Sequence, residues 1–178
     1  RGPPWSGRRR LYLADSFEGI PQPRSKQGRA VDSTAQWPEQ YRYAAGQALA
    51  RSTLRRYGLL DDRVLLVPGY FNVSLPALNP SALALIHIDA DAYDSVTDAL
   101  EGLYSRLSPG GYVVIDDWHL PGVRAAVLGF RARARVSEPL LPAPSDHVTT
   151  CSPDWSVPDA LTVHPLTVVY WRRDFPES

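Results

Sequence analysis

Two apolar runs in the sequence each end abruptly at a pair of acids. The first run, ALALIHIDADAYDS, stops at Asp89 and Asp91, and the second, GGYVVIDDWH, stops at Asp116 and Asp117. Short apolar runs between turn residues predict strands that are buried on both faces of a parallel sheet. Four carboxylates are therefore expected where two such strands end.

The rest of the hydrophobic pattern alternates between strands and helices. The predicted elements are strands at 11–14 and 63–67 and helices at 44–57, 96–107 and 123–135, with SPGG ending the second helix. The closing LTVHPLTVVYWRR, interrupted near Pro165, predicts a terminal antiparallel hairpin at the sheet edge. This order predicts an α/β fold with a mostly parallel sheet.

Other segments are predicted to surround this sheet. Ala44, Ala48, Leu54 and Tyr57 recur at helical spacing, so helix 44–57 is expected to cover the sheet. The stretch PGYFNVSLP has two interpretations: Tyr70 or Phe71 stacks on a planar ligand, or the segment is an ordinary strand-to-loop exit.

Two segments have no hydrophobic period. Residues 22–40 predict a loop that folds over the site, with Trp37 and Tyr41 as lid or packing aromatics. Residues 140–159 predict a surface insertion, in which His147 and Cys151 have no partner at metal-ligand spacing.

The four acids predict a cation site. The carboxyl ends of neighbouring strands border the crevice where α/β proteins bind ligands, so the acids should share one pocket. Clustered carboxylates repel unless a cation or a proton intervenes, and oxygen ligands favour Mg²⁺, then Ca²⁺ or Mn²⁺. The alternative is structural, because Asp91 or Asp94 would cap the following helix and Asp117 would serve a turn.

Composition narrows the function classes. A length of 178 residues fits one domain, and 19 basic against 19 acidic residues give no sign of a nucleic-acid or membrane partner. The single Cys151 excludes an internal disulfide and a thiolate metal cluster. The sequence has no membrane-spanning apolar segment and no secretory leader, so we expect a cytoplasmic protein.

The motifs LADSFEGIP, STLRRYGLLDDRV, VPGYFNVSLP, IHIDADAYDSVTDALEGLYSRLSPGGYVVIDDWHLPGVRAAV and VVYWRR resemble, in this order, the macrocin-type (TylF-like) O-methyltransferase family. Its members use S-adenosylmethionine to methylate sugar hydroxyls in antibiotic biosynthesis. The resemblance implies a Rossmann-like class I methyltransferase domain over residues 1–178. It also implies S-adenosylmethionine and Mg²⁺ as cofactors, a glycosylated small-molecule substrate and a homo-oligomer.

The resemblance also assigns roles to residues. Asp89, Asp116 and Asp117 fall on the metal ligands, and the catalytic residues are Asp91, as general base, and Asp89. The cofactor residues are Asp15, Ser16, Gly69, Tyr70 and Phe71. Asp15 has separate support, because an acid at the end of a strand binds ribose hydroxyls in dinucleotide-type folds.

The sequence departs from the family in two places. The family's first strand and Gly-rich cofactor loop should precede LYLAD and are absent, so we expect that the sequence is truncated. Residues 140–159 are longer than the family suggests, which a changed acceptor pocket or a subunit contact would explain.

Three functions other than methyl transfer are also considered from the sequence. A metal-dependent glycosyltransferase would use Asp89 and Asp91 to hold a metal and a nucleotide diphosphate, but would leave the second acidic pair unexplained. An aspartyl-phosphate phosphohydrolase needs a downstream lysine, and none follows Lys26. A non-catalytic methyltransferase-like binding domain would carry a carboxylate cluster that costs stability.

Overall fold

The computed structural model describes residues 9–32, 44–143 and 168–174. In chain order the elements are β1 (Leu11–Asp15), α1 (Lys26–Val31), α2 (Gln47–Arg56), β2 (Val64–Pro68), α3 (Phe71–Ala77), β3 (Leu83–Ile88), α4 (Tyr93–Leu103), a 3-10 turn (Tyr104–Arg106), β4 (Leu107–Ile115), α5 (Pro121–Ala134), β5 (Leu141–Pro142) and β6 (Val169–Arg172). The predicted α/β fold is confirmed. Across the described ranges, every helix is too short or too polar to cross a bilayer.

The described strands form two sheets. β1 pairs with β2 in parallel, and the second sheet has the order β3-β4-β6-β5. In the second sheet β3 and β4 are parallel, whereas β6 runs antiparallel to both β4 and β5. The predicted antiparallel C-terminal strand is therefore present, but the predicted position at the sheet edge is wrong, because β6 lies between β4 and β5. Residues 161–167, the other half of the predicted hairpin, lie outside the described residues.

The register of β3 against β4 brings the two acidic ends together. Ile88 lies opposite Ile115, so each strand ends at the same edge of the sheet. The N–H of Asp116 donates a hydrogen bond to the carbonyl of Ile88 at 2.8 Å. The prediction that the acids emerge at one edge is confirmed.

The hydrophobic core lies between this sheet and the helices α4 and α5. Alternate strand residues and the apolar faces of both helices meet there, and its fully buried members include Leu100, Val113, Ile115, Val127 and Trp171. Alternation along the strands and three-to-four spacing along the helices produce this layer. It fixes the strand ends from which the acids project.

The prediction that β3 and β4 are buried on both faces is wrong for the described residues. Ile86 and Ile88 are buried, but Leu85 and His87 between them are exposed, as is Tyr112 on β4. The reason is that α4 and α5 cover only one face of the sheet.

The prediction that helix 44–57 covers the sheet is also wrong for the described residues. The helix begins at Gln47, none of its residues is buried, and Tyr57 just after it is 68% exposed. Its apolar side chains stay accessible within the described residues, with Leu49 60% exposed.

Three local predictions need correction. The segment predicted as an unstructured loop contains the short helix α1, while Trp37 and Tyr41 lie outside the described residues. The predicted strand-to-loop exit after β2 contains helix α3. The SPGG stretch, expected to be a turn, forms the beginning of β4, and helix α4 ends earlier, at Leu103.

Candidate active site

One pocket at the carboxyl ends of the strands joins most of the predicted site residues. It is lined by Asp15, Ser16, Gly19, Ile20, Pro21, Tyr70, Phe71, Asp89, Ala90, Asp91 and Ser95. Four of the five predicted cofactor residues therefore border the same space as both predicted catalytic residues. The fifth, Gly69, touches this wall through its N–H, which donates to the carbonyl of Asp15 at 2.9 Å.

The turn after β1 presents Asp15 to the pocket. Asp15 Oδ1 accepts a hydrogen bond of 2.6 Å from the N–H of Phe17, whose φ of 59° is left-handed. The Ser16 hydroxyl donates to the carbonyl of Gly19 at 2.8 Å and accepts from the N–H of Glu18 at 3.1 Å. Ser16 therefore shapes the turn, while the second oxygen of Asp15 can still accept from a ligand hydroxyl.

The turn after β2 presents two aromatic residues to the same pocket. Gly69 has a φ of 119°, a conformation that L side chains rarely adopt. The hydroxyl of Ser74 donates to the carbonyl of Gly69 at 2.9 Å, which ties the first turn of α3 to this glycine. Tyr70 and Phe71 are thereby placed where α3 begins, on the pocket wall.

Three acids converge after β3 and β4. Asp89, Asp91 and Asp117 each offer a carboxylate oxygen, and these oxygens lie within 4.8 Å of one another. Asp91 and Asp117 have φ values of 55° and 53°. Left-handed conformations are uncommon outside glycine, although Asp tolerates them better than most residues, and they concentrate at functional sites.

Burial and the neighbouring negative charges raise the pKa values of two of these acids, Asp89 and Asp91. Burial, the hydrogen bond to Asp117 and the surrounding negative charges raise the pKa of Asp91 to about 7. Burial and the charges of Asp116 and Asp117 raise the pKa of Asp89 as well. An uncompensated carboxylate cluster of this kind either holds a proton or binds a cation.

Asp116 lies beside this group rather than within it. Its Oδ1 accepts from the N–H of Asp117 at 3.0 Å, and its Oδ2 is 3.8 Å from His87 Nε2. The structure thus groups Asp91, the predicted base, with Asp89 and Asp117, while Asp116, a predicted ligand, is their charged neighbour. The division of roles among the four acids stays a prediction.

The aromatic residues that flank the acids have different surroundings. Trp118 is only 2% exposed and packs in the core, with the Arg124 guanidinium 5.7 Å above its ring. His119 Nδ1 is 3.8 Å from Asp117 Oδ1. His119 is thus the flanking side chain that faces the acids, whereas Trp118 has a packing role.

Comparison with known proteins identifies the family. The family model "Macrocin-O-methyltransferase (TylF)" matches residues 5–149. The chain belongs to the macrocin O-methyltransferase family.

Relatives of this family member include two named antibiotic-modifying enzymes. The chain is 44% identical over 133 residues to the 8-demethyl-8-(2,3-dimethoxy-alpha-L-rhamnosyl)-tetracenomycin-C 4'-O-methyltransferase of Streptomyces olivaceus. The aligned region covers 74% of this chain and 51% of that protein. The chain is 35% identical over 136 residues to the mycinamicin III 3''-O-methyltransferase of Micromonospora griseorubida, covering 75% of this chain and 53% of that protein. The chain thus spans about half the length of these relatives.

A solved structure supports the same assignment. The O-methyltransferase NovP superposes with a TM-score of 0.73 at 29% sequence identity, covering 94% of this chain and 61% of that chain. The fold of the macrocin O-methyltransferase family member is accordingly that of the class I methyltransferases, as predicted. This result favours the methyltransferase interpretation over the glycosyltransferase alternative.

The donor set of this family member fits a hard divalent cation. Carboxylate oxygens on two adjacent loops converge to within 4.8 Å, and burial together with neighbouring negative charge raises the pKa values of Asp89 and Asp91. Mg²⁺ and Mn²⁺ prefer such oxygen ligands.

Two parts of the site were not predicted from the sequence. Ile20 and Pro21 line the pocket, and their only signal was their place in the LADSFEGIP motif. Asp32 is a buried acid that had no recognisable pattern. Asp94, predicted only as a possible helix cap, is buried too and accepts instead from the N–H groups of Arg24 and Ser25.

Proposed function

We propose that the protein transfers a methyl group from S-adenosylmethionine to a sugar hydroxyl of a glycosylated natural product, with Mg²⁺ as a second cofactor. The observation that carries the proposal is the single pocket in which Asp15, Tyr70 and Phe71 meet Asp89 and Asp91. Cofactor-type residues and reactive carboxylates share one space there, as group transfer requires. Membership of the macrocin O-methyltransferase family supports the same reaction class.

The turns after β1 and β2 would hold the nucleoside part of the cofactor. Asp15 would accept hydrogen bonds from the ribose hydroxyls, since its position at a strand end suits that role. Tyr70 and Phe71 would stack on the adenine ring. Ser16, through its hydroxyl, and Gly69, through its N–H, would fix the conformations of the two turns. The bound cofactor supplies a methyl group that is already activated as a sulfonium.

The acids would hold the cation and the acceptor. Asp89 and Asp117 would be ligands, together with Asp116 as the family resemblance implies. A bound Mg²⁺ supplies Lewis acidity that makes a sugar hydroxyl easier to deprotonate. The protein's part is to orient that hydroxyl and to keep the carboxylates in place.

Asp91 would be the general base. Its pKa of about 7 is close to neutral, where a carboxylate can accept a proton and later release it. Its backbone is left-handed, and its carboxylate lies within 4.8 Å of carboxylate oxygens of Asp89 and Asp117. Asp89 would share the catalytic site by orienting the reacting hydroxyl.

The substrate class comes from the relatives. Their names describe O-methylation of a rhamnosyl-tetracenomycin and of mycinamicin III. We infer a glycosylated small molecule as the acceptor, a methyltransferase domain that includes residues 1–178, and action in the cytoplasm, where S-adenosylmethionine is made. A homo-oligomer stays a prediction.

Calorimetric titration with S-adenosylhomocysteine, with and without Mg²⁺, tests the proposal before an acceptor is known. Micromolar binding is expected, because the pocket residues recognise the nucleoside that both forms of the cofactor share. The control is Asp15→Ala, which removes the ribose acceptor and should weaken binding at least about tenfold, consistent with loss of a charge-assisted hydrogen bond.

Two results would contradict the proposal. Absence of binding by the folded protein would return the non-catalytic binding domain as the better interpretation. Binding that is unaffected by Asp15→Ala would place the nucleoside elsewhere than in this pocket.

A further inference from the structure

A buried acid outside the pocket connects the two loops that carry the site acids. Asp32 ends helix α1 and is 5% exposed, and its N–H donates to the carbonyl of Gly28 at 2.8 Å. Its side chain lies between the start of α4 and the start of α5. Helix α4 follows the β3–α4 loop (residues 89–92), and helix α5 follows the β4–α5 loop (residues 116–120).

The contact with α4 is a hydrogen bond. Asp32 Oδ2 accepts from the N–H of Tyr93, the first residue of that helix, at 2.9 Å. Free N–H groups at a helix start need an acceptor, and a carboxylate is also favoured there by the helix dipole. Tyr93 is two residues after Asp91, so this bond fixes the end of the loop that presents the proposed base.

The contact with α5 is close packing against a glycine. A Cβ atom on Gly122, the second residue of α5, would lie 1.9 Å from Asp32 Oδ1. Only a residue without a side chain therefore allows α5 to approach the carboxylate. The helix start is joined to the acids in turn, because the N–H of Leu120 donates to the carbonyl of Asp117 at 2.8 Å.

A second acid holds α1 in place from the opposite direction. Asp94 on α4 is 6% exposed, and its Oδ2 accepts from the N–H groups of Arg24 at 2.5 Å and Ser25 at 2.9 Å. A Cβ on Gly28 would lie 2.8 Å from the same oxygen. The segment from Arg24 to Asp32 is thus docked through one acid of its own and one of α4.

A buried carboxylate is costly to keep unless it has a specific role. Burial raises the pKa of Asp32, and the nearby charge of Asp94 adds to this, against the effect of the Tyr93 hydrogen bond. An apolar side chain would avoid that cost. The Asp32 carboxylate uses one oxygen to accept from the start of α4 and places the other against Gly122, which an apolar side chain could not do.

We propose that Asp32 is a positioning residue that sets the separation of the β3–α4 and β4–α5 loops, and so the spacing at which their carboxylates bind one divalent cation. The inference rests on the metal site of the proposed function. Outer residues that orient metal ligands affect metal affinity by about 10- to 100-fold. Asp32 would act on both loops at once, since it contacts the first residue of α4 and the second residue of α5.

The test measures Mn²⁺ binding to the full chain by electron paramagnetic resonance of the free ion. Asp32→Ala should weaken Mn²⁺ binding about tenfold. Gly122→Ala should have a similar effect, because its methyl group would displace the Asp32 carboxylate. On the Asp32→Ala background the severe clash with the carboxylate is gone and only the tight contact with the Tyr93 nitrogen at 3.3 Å is left, so the double variant should bind about as well as Asp32→Ala alone.

Three controls separate positioning from general stability. Val127→Ala removes a fully buried side chain from α5 and should lower the melting temperature without changing Mn²⁺ affinity. Gly129→Ala adds a methyl group whose nearest neighbour is the end of the Arg133 side chain at 3.3 Å, so it should leave binding unchanged. Asp32→Asn retains an acceptor for the Tyr93 N–H and should bind within about threefold of wild type.

The outcomes distinguish this inference from the proposed function. If the wild type binds Mn²⁺ and the folded Asp32→Ala and Gly122→Ala variants bind it equally well, the positioning role is wrong while the metal site stands. If Asp32→Ala does not fold, unchanged binding by Gly122→Ala is sufficient to overturn the inference. Absence of Mn²⁺ binding by the wild type would overturn the metal site and this inference together.

Discussion

At the scale of single residues, Asp91 and Asp116 differ in their surroundings although each follows an apolar strand. We predict that Asp116→Asn weakens Mg²⁺ binding at least about tenfold, because changes outside the ligand set alone cost that much. The fold should be kept, since the new side-chain oxygen can still accept from the N–H of Asp117. Asp91→Asn should instead lower kcat with a smaller effect on Mg²⁺ affinity, because it removes the proton acceptor. Calorimetry and methyl-transfer assays measure the two effects.

The comparison needs a control at the neighbour of Asp116. His87→Asn changes the exposed side chain 3.8 Å from Asp116 Oδ2 and should leave Mg²⁺ binding nearly unchanged. Full activity in Asp116→Asn would sink its assignment as a metal ligand. A loss of Mg²⁺ binding in Asp91→Asn alone would exchange the two roles, in agreement with the three-acid group of Asp89, Asp91 and Asp117.

The sequence could predict these acids but not the residue that positions them. Strand periodicity locates where β3 and β4 end, and parallel neighbours end at one edge, so the convergence of Asp89 and Asp117 follows from local pattern. Asp32 contacts Tyr93 across 61 positions of sequence. A lone Asp after a short polar segment carries no periodic signal, so its burial emerges only from tertiary packing.

At the scale of elements, β3 presents two different faces. We predict that Ile86→Ala lowers the free energy of unfolding by about 2–5 kcal/mol, because Ile86 is 4% exposed in the core. Leu85→Ala, on the next residue of the same strand, should cost less than about 1 kcal/mol, because Leu85 is 55% exposed. Urea denaturation of the two variants measures both changes.

The pair is its own control, since both substitutions shorten an aliphatic side chain in one strand. A cost for Leu85→Ala that matches the cost for Ile86→Ala would mean that a part of the protein outside the described residues covers this face. Parallel sheets are ordinarily buried on both faces. That outcome would restore the two-sided burial predicted from the sequence.

Turn-forming residues account for one element that the sequence misassigned. A Cβ on Gly111 would lie 3.0 Å from the carbonyl oxygen of Ala84, so this glycine allows β4 to approach β3. The register between the two strands shifts between Leu83 and Leu85, which is where the SPGG stretch is accommodated. Glycine and proline predict a turn locally, but here they mark an irregularity at the beginning of a strand.

The short helix α3 is a second element that the sequence misassigned. α3 contains Pro76, which disfavours a helix in a local analysis. Its Leu75 is 1% exposed in the core, and the helix packs against α4. Tertiary burial therefore outweighs propensity over these seven residues.

At the scale of the whole molecule, balanced net charge conceals a local field. The sequence has 19 basic and 19 acidic residues, yet Asp15, Asp89 and Asp91 line the described pocket, and its described lining contains no Arg or Lys. A cleft lined by one sign of charge concentrates that field. S-adenosylmethionine carries a positive sulfonium that S-adenosylhomocysteine lacks, so the two ligands should respond differently to it.

We predict that Mg²⁺ reduces the preference of the protein for S-adenosylmethionine over S-adenosylhomocysteine. At pH 8, above the pKa of about 7 for Asp91, the Asp91 carboxylate is mostly ionised and its charge attracts the sulfonium. A bound cation cancels part of that attraction, about 1 kcal/mol or about fivefold in relative affinity. Titrations of both ligands with and without Mg²⁺ measure the ratio of the two affinities.

Two variants serve as test and control. Asp89→Asn should reduce this affinity ratio in metal-free protein, whereas Glu101→Gln, which changes an exposed acid paired with Arg133, should not. A ratio that is the same with and without Mg²⁺ would mean that the acids and the sulfonium do not share one pocket.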